Sequence, residues 1–278
     1  MNSNRKILGH IYMAAFLLYL MIPLIVMAGA AFNNSKLPTI IPWKGFTDRW
    51  FIDLWHDNRI WGAIGNTIIV ALAVVIIAVP IGTAGAILVN SIGGRVRSFL
   101  YGMMVAPILI PGVVIGISTL LFWNQFSVGS GLHLSVLGQV SYIASFVMLL
   151  VLARLQSFDA GLEEAALDLG ASHAQVMRRI LLPHLYPALG AGAAISFFQS
   201  IENFNVTLFT RGGADTLTVY VFSKVRSGIT PTINALALIM ITLTLFAAIW
   251  YEANRRRKVR LEAAREAEGR RAEDAELA

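Results

Sequence analysis

Two polar constellations stand out in an otherwise apolar chain. The first is Glu164-Ala165-Ala166, then Gly170, then Ile180-Leu181-Leu182-Pro183, within a polar segment at 157–183. The second is Glu202 with Asn203 and Asn205, at the end of a long apolar run. A carboxylate beside amides can hold a cation or a hydrogen-bonding solute. It is not a nucleophile–base pair, so no catalytic residue is expected. There are no cysteines, which excludes disulfides and thiolate metal sites. His10, His56, His133, His173 and His184 lack metal-ligand spacing, so no metal site is expected; His173 and His184 read as exposed. No G-x-x-x-x-G-K-[ST] occurs, so the chain carries no phosphate-binding loop of that type and is expected to hold no cofactor.

The elements that position these groups are set by hydropathy. The chain has 278 residues, 56% hydrophobic and only 14% charged, against about 25% charged in a soluble domain. That much apolar surface cannot be hidden in one core and must face lipid. No Asp, Glu, Lys or Arg occurs between Lys6 and Lys36, Arg59 and Arg95, Arg97 and Arg154, Arg179 and Glu202, or Arg226 and Glu252. The third gap is long enough for two spans, and its middle, Asn124 to Ser135, is a polar Gly/Ser turn. Six membrane-spanning helices are therefore expected, at about 11–32, 64–90, 99–123, 136–156, 185–207 and 233–252. The first has an apolar run of about 20 residues, longer than the 7–15 of a signal peptide, and reads as a retained span.

The net charge of +6 is spread through short segments between apolar runs, which fits membrane insertion and not nucleic acid. Arg5, Lys6, Arg95, Arg97, Arg154, Arg178, Arg179 and the eight cations after Tyr251 fall on one side, 15 of the 22. Both termini are expected in the cytoplasm by this bias. The segment 33–63, with Trp43, Trp50, Trp55 and Trp61, then lies outside, where Trp suits the interface.

The 157–183 segment reads as two short helices. Asp159 suits an N-cap, and Leu162, Ala165, Ala166 and Leu169 share a face. Gly170 suits a left-handed C′ position, and Ser172 to Gln175 reads as a capping box. Pro183 and Pro187 are expected to break the chain before it re-enters the membrane. Such a pair could dock a partner protein or lie on lipid headgroups, and physics alone leaves both readings open.

The spacing Glu164-Ala165-Ala166, three residues, Gly170, nine residues, Ile180-Leu181-Leu182-Pro183 resembles the EAA loop of binding-protein-dependent ABC importer permeases. The likeness covers roughly residues 8–252. It is similar in particular to the second permease of spermidine/putrescine-type systems, in residues 110–118, 200–209 and 225–236. The resemblance implies an all-α, polytopic fold of the type I ABC importer permease class. It also implies a coupling helix contacting the ATPase through Glu164, Ala165, Ala166, Gly170, Ile180, Leu182 and Pro183. The implied partners are ABC ATPase subunits carrying ATP and Mg, a second and paralogous permease subunit, a periplasmic solute-binding protein and membrane lipid. The implied place is the bacterial inner membrane. Two departures matter: Gly112 and Asn203 stand where that subgroup often has acids.

Apart from Glu252 at the very end of the last expected span, Glu202 is the one Asp or Glu within the spans, and it reads either as lining the pathway with Asn203 and Asn205, or as pairing with a neighbouring helix or sitting near the outer interface in water. Gln199 and Thr207 are weaker candidates. Pro107, Pro111, Gly112 and Gly116 in the third span read mainly as packing positions, as do Gly82, Gly85, Gly190 and Gly192. Residues 1–252 form the expected membrane domain and 253–278 a charged cytoplasmic tail, a frayed helix or disordered. The expected function is import of a small polar solute, polyamine first. Aminoalkylphosphonate, ferric iron, thiosulfate or an amino-acid-like solute is the alternative. An ion-coupled secondary transporter and a membrane scaffold are the readings from other classes.

Overall fold

In hydrocarbon a backbone must satisfy its own polar groups, and a helix does so within one segment. Apart from one isolated bridge, Asn33 to Phe46, the described residues are helical or irregular. The computed structural model describes residues 3–228 and 230–276, with side chains over 7–228 and 230–260. The side chains of Arg5 and Lys6, residue Ile229 and the side chains of the tail beyond residue 260 lie outside them.

The chain divides into two compact units, residues 57–223 and residues 1–56 with 224–278. The first unit is built on α3 (Asn58–Ser91), α6 (Leu132–Leu155) and α9 (Leu182–Ile201). Val70, Val74 and Ala78 of α3 pack on Val136, Val140, Ile143 and Ala144 of α6. Further along, Ala86 and Val89 meet Val147, Met148 and Val151, with Leu185 and Ala188 of α9 completing the layer. Lipid tails are as apolar as leucine, so close fit and not water exclusion holds these helices together. Gly82 marks the closest approach: a Cβ there would stand 2.5 Å from the Ala144 carbonyl and 2.7 Å from the Val147 Cβ. Gly192 faces Val147 as expected, but nothing among the described residues lies within 4 Å of a Cβ at Gly190.

The expected third span is not one helix. It is α4 (Gly94–Leu109) and α5 (Gly112–Asn124), set at 103° to each other. The cause is Pro111, which cannot donate a backbone hydrogen bond and forces the residue before it out of helix. Ile110 accordingly sits at φ −83° and ψ 129°. Among the described residues five helices are long and apolar enough to cross a membrane, or six with the bent pair counted as one span.

The fifth span also differs. Its helix starts early and stops early, ending at Ile201 and not near residue 207. At its start, α8 (His173–Val176), a π-helical turn (Met177–Leu181) and α9 run on without a break, a single 29-residue stretch. Pro183 does not interrupt it. The wider turn lets the Leu182 N–H bond Met177 O, and Pro183 falls in the first turn of α9, where its missing donor is not needed. Pro187 is also accommodated inside α9.

The second unit joins α1 (Ser3–Phe32), α2 (Arg49–Trp55) and α12 (Pro231–Glu276) through Ala31, Trp50 and Ala235. Buried Asn33 organises the loop after α1: its amide donates to Thr39 O at 2.7 Å and Pro42 O at 3.1 Å, and accepts from Lys44 N at 2.8 Å. The Trp50 indole donates to Asn33 O at 2.9 Å. Helix α12 continues through residue 252 without a break, to Glu276. Charge alternates on that stretch with good helix formers, which sustain a helix once a span has nucleated it.

Gly82→Ala is expected to destabilise the protein by about 1–3 kcal/mol through overpacking. Gly190→Ala, in open space, should be neutral or stabilising by up to about 1 kcal/mol. Thermal denaturation of the two variants in detergent distinguishes them; equal midpoints would refute the close crossing.

Candidate functional site

The α4–α5 break and the end of α9 meet. After Ile201 the chain leaves the helix, with Glu202 as its C-cap, and turns through residues 203–206 into the short α10 (Thr207–Thr210). This turn packs on α5 at two glycines. A Cβ on Gly112 would stand 3.0 Å from the Asn205 Cβ, and one on Gly116 would stand 3.0 Å from Val206 O. Beside the joint lies a hollow of about 330 Å³. Ile108, Ile110 and Ile115 line one part; Tyr142 and Phe146 of α6 line another; Gln199, Glu202, Asn203 and Asn205 supply its polar groups.

A buried hydrogen-bond chain holds the polar side in place. Ser200 donates to Gln139 Oε1 at 2.6 Å, and Gln139 Nε2 donates to Thr207 Oγ1 at 2.9 Å. Asn203 Oδ1 accepts from Val206 N at 3.1 Å, which closes the turn, while its Nδ2 donates to Tyr142 OH at 2.6 Å. The Tyr142 oxygen is thus an acceptor toward Asn203, leaving its own proton to donate. Glu202 is exposed, whereas Gln139, Ser200 and Thr207 are buried. The arrangement offers one carboxylate, a donor hydroxyl, amides and aromatic faces, a set suited to a hydrogen-bonding cation. It contains no group placed for bond making or breaking. Among the described residues no group of three or more His, Asp or Glu is arranged to hold a metal ion.

Beyond α10, the segment to α11 (Leu217–Ser227) is tied to the start of α3. Asp215 accepts from Arg59 Nη2 at 2.8 Å and pairs with Arg211, and its carbonyl accepts from Asn66 at 2.8 Å. Tyr220 donates to Asp57 at 2.6 Å. Burial, then the Asp57 bond, holds this phenol above the ordinary tyrosine range, so it remains the donor. Arg59 and Arg211 therefore share one side, as the charge count expects.

At the other end of α6 and α9 lies the 157–183 segment. Asp159 caps α7 (Ala160–Asp168) by accepting from Gly161 N at 2.9 Å. Gly170 has φ +85°, with its N–H on Leu167 O at 2.9 Å and Ala171 N on Ala166 O at 3.0 Å, a Schellman end. Ser172 and Gln175 form the expected capping box at α8. Glu164, Ala165 and Gly170 are exposed, and no residue of α7 is buried. Gly170 and Ile180 share a shallow hollow with Leu169, Ala171 and Gln175, while Leu182 and Pro183 begin α9.

The sequence matches the family described as "Binding-protein-dependent transport system inner membrane component" over residues 78–260. The chain belongs to that family. It is 31% identical over 239 residues to the spermidine/putrescine transport system permease protein PotC of Escherichia coli K12, covering 86% of this chain and 90% of that protein. It is 32% identical over 254 residues to the putrescine transport system permease protein PotI of the same strain, covering 87% and 89%. Among solved structures, a bacterial ABC transporter involved in the import of the acidic polysaccharide alginate matches with TM-score 0.69 at 15% identity, over 90% of this chain and 97% of that one. The protein is thus a multi-pass permease subunit of an ABC importer, not an enzyme.

Glu202, Asn203 and Asn205 do come together in this permease, but at a helix end and turn instead of inside a span. Gln199 joins them, whereas Thr207 is buried in the hydrogen-bond chain. Tyr142 and Gln139 escaped sequence reasoning because single polar residues in an apolar helix carry no motif. His184 is not exposed as expected. It is half-buried, its ring 3.2 Å from Arg154 O, while Arg154 Nε donates to His184 O at 3.0 Å. This clasp ties the end of α6 to the start of α9. His173 is exposed.

Replacing Gln139 with Ala strands the Ser200 hydroxyl and removes a donor from Thr207, and is expected to cost about 1–2 kcal/mol. Gln199→Ala, at the open hollow, should cost less. The denaturation midpoints in detergent check the order of the two.

Proposed function

We propose that this permease imports a polyamine of the spermidine or putrescine kind, and that Glu202, Asn203 and Asn205 line its pathway. The observation that carries the reading is the hollow at the α4–α5 break, where a carboxylate faces aromatic rings and amides. A polyamine offers ammonium donors and apolar methylenes, which these groups complement. The names of PotC and PotI, and their similarity over most of this chain, support it. Gly112 and Asn203 leave the hollow with one carboxylate, which suits a cation passing through and not one held tightly.

In this reading α7, with Glu164, Ala165, Ala166 and Gly170, seats in an ATPase subunit, and Ile180, Leu182 and Pro183 carry its movement into α9. ATP and Mg are bound by that subunit. A second, paralogous permease supplies the other half of the pathway, and a periplasmic binding protein delivers the solute. Both termini face the cytoplasm, as the excess of Lys and Arg on their side supports.

Proteoliposomes holding the whole complex, with binding protein, ATP and labelled solutes, test the substrate. Spermidine or putrescine uptake should require ATP and exceed that of aminoalkylphosphonate or thiosulfate. Glu202→Gln should lower polyamine uptake about two- to fivefold, the scale of one exposed ion pair. Unchanged uptake would remove Glu202 from the pathway; preference for another solute would replace the substrate.

Coupling has its own test. Gly170→Val places a β-branched residue at φ +85°, a strain of roughly 1–3 kcal/mol. Uptake should fall while ATP hydrolysis by the complex persists. Normal coupled transport in this variant would defeat the assignment.

A further inference from the structure

Within two turns of α12 the surface changes from aromatic to strongly basic. Trp250, Tyr251, Asn254, Arg255, Arg257 and Lys258 surround a hollow of about 570 Å³. The two rings are 63% and 68% exposed. Residues 250, 254, 257 and 258 follow helical spacing and share one face. The cations are not equivalent. Glu252 takes Arg255 Nε at 3.1 Å and Arg256 Nε at 2.7 Å. Among the described residues, Arg257 and Lys258 have no ion-pair partner.

Phe246, one turn before Trp250 on the same face, is 70% exposed. A ligand for the whole face needs an apolar tail, a polar neck and a negative head. Phe246 suits acyl chains, and Trp250 and Tyr251 suit the depth of the glycerol and ester groups. Asn254 supplies an amide donor, and Arg257 and Lys258 suit a phosphodiester. A zwitterionic lipid brings its own cation to the same place; an anionic one does not.

We propose that this face binds the headgroup of an anionic phospholipid, of the phosphatidylglycerol kind, in the leaflet where α12 leaves the membrane. The inference needs α12 to cross the bilayer but is independent of the imported solute. The assembled complex, reconstituted in vesicles containing brominated phosphatidylglycerol or brominated phosphatidylcholine, gives a direct reading. Trp250 quenching is the difference between the native protein and Trp250→Phe. Quenching should favour phosphatidylglycerol. Arg257→Gln with Lys258→Gln should reduce that preference, by up to roughly fivefold for each charge removed. Arg257→Lys with Lys258→Arg should keep it, which separates lost charge from lost fold. Equal quenching by the two lipids would overturn the proposal. So would no quenching by either, which means that protein covers the face. Loss of the preference on adding inorganic phosphate, but not chloride of equal ionic strength, would assign the hollow to free phosphate instead.

Discussion

Hydrocarbon offers no water to a broken helix, and this fold breaks two. The backbone groups freed around Ile110-Pro111 and between Glu202 and Val206 must find partners in protein. The structure meets this by packing one interruption on the other. Gly112 and Gly116 have no side chains at the contact, so the 203–206 turn can approach α5. Asn203 then spends its carbonyl oxygen on the turn and its amide on Tyr142. The hollow is a by-product of this joint: two interrupted helices cannot fill the space that two continuous ones would.

The same joint gives Gly112 and Asn203 their roles in this chain. A carboxylate in place of Gly112 would add a Cβ 3.0 Å from that of Asn205. A carboxylate in place of Asn203 could not donate to Tyr142 while accepting from Val206 N. In this chain the two positions serve packing and hydrogen bonding, and Glu202 alone keeps the charge.

Charge-free intervals fixed the number and rough place of the spans because the cost of burying an ion in lipid is local and large. The caps of the 157–183 segment were equally legible, since Asp159, Gly170, Ser172 and Gln175 act on neighbouring backbone. What escaped depends on distant partners. Pro111 breaks its span but Pro183 and Pro187 do not, because the π turn and the position of Pro183 in the first turn of α9 absorb its missing donor. Nothing local distinguishes these prolines. The end of α9 at Ile201 is set by what the next turn packs against, and the His184 clasp by Arg154, thirty residues away.

The uninterrupted stretch from His173 to Ile201 has a mechanical meaning. At about 1.5 Å per residue it is a continuous bar of roughly 43 Å, with the capped turn at one end and the hollow at the other. A tilt of about 5° at such a bar's base sweeps its tip by nearly 4 Å, about the width of a methylene chain. Had the prolines made a hinge, that angular input would have been dissipated in bending.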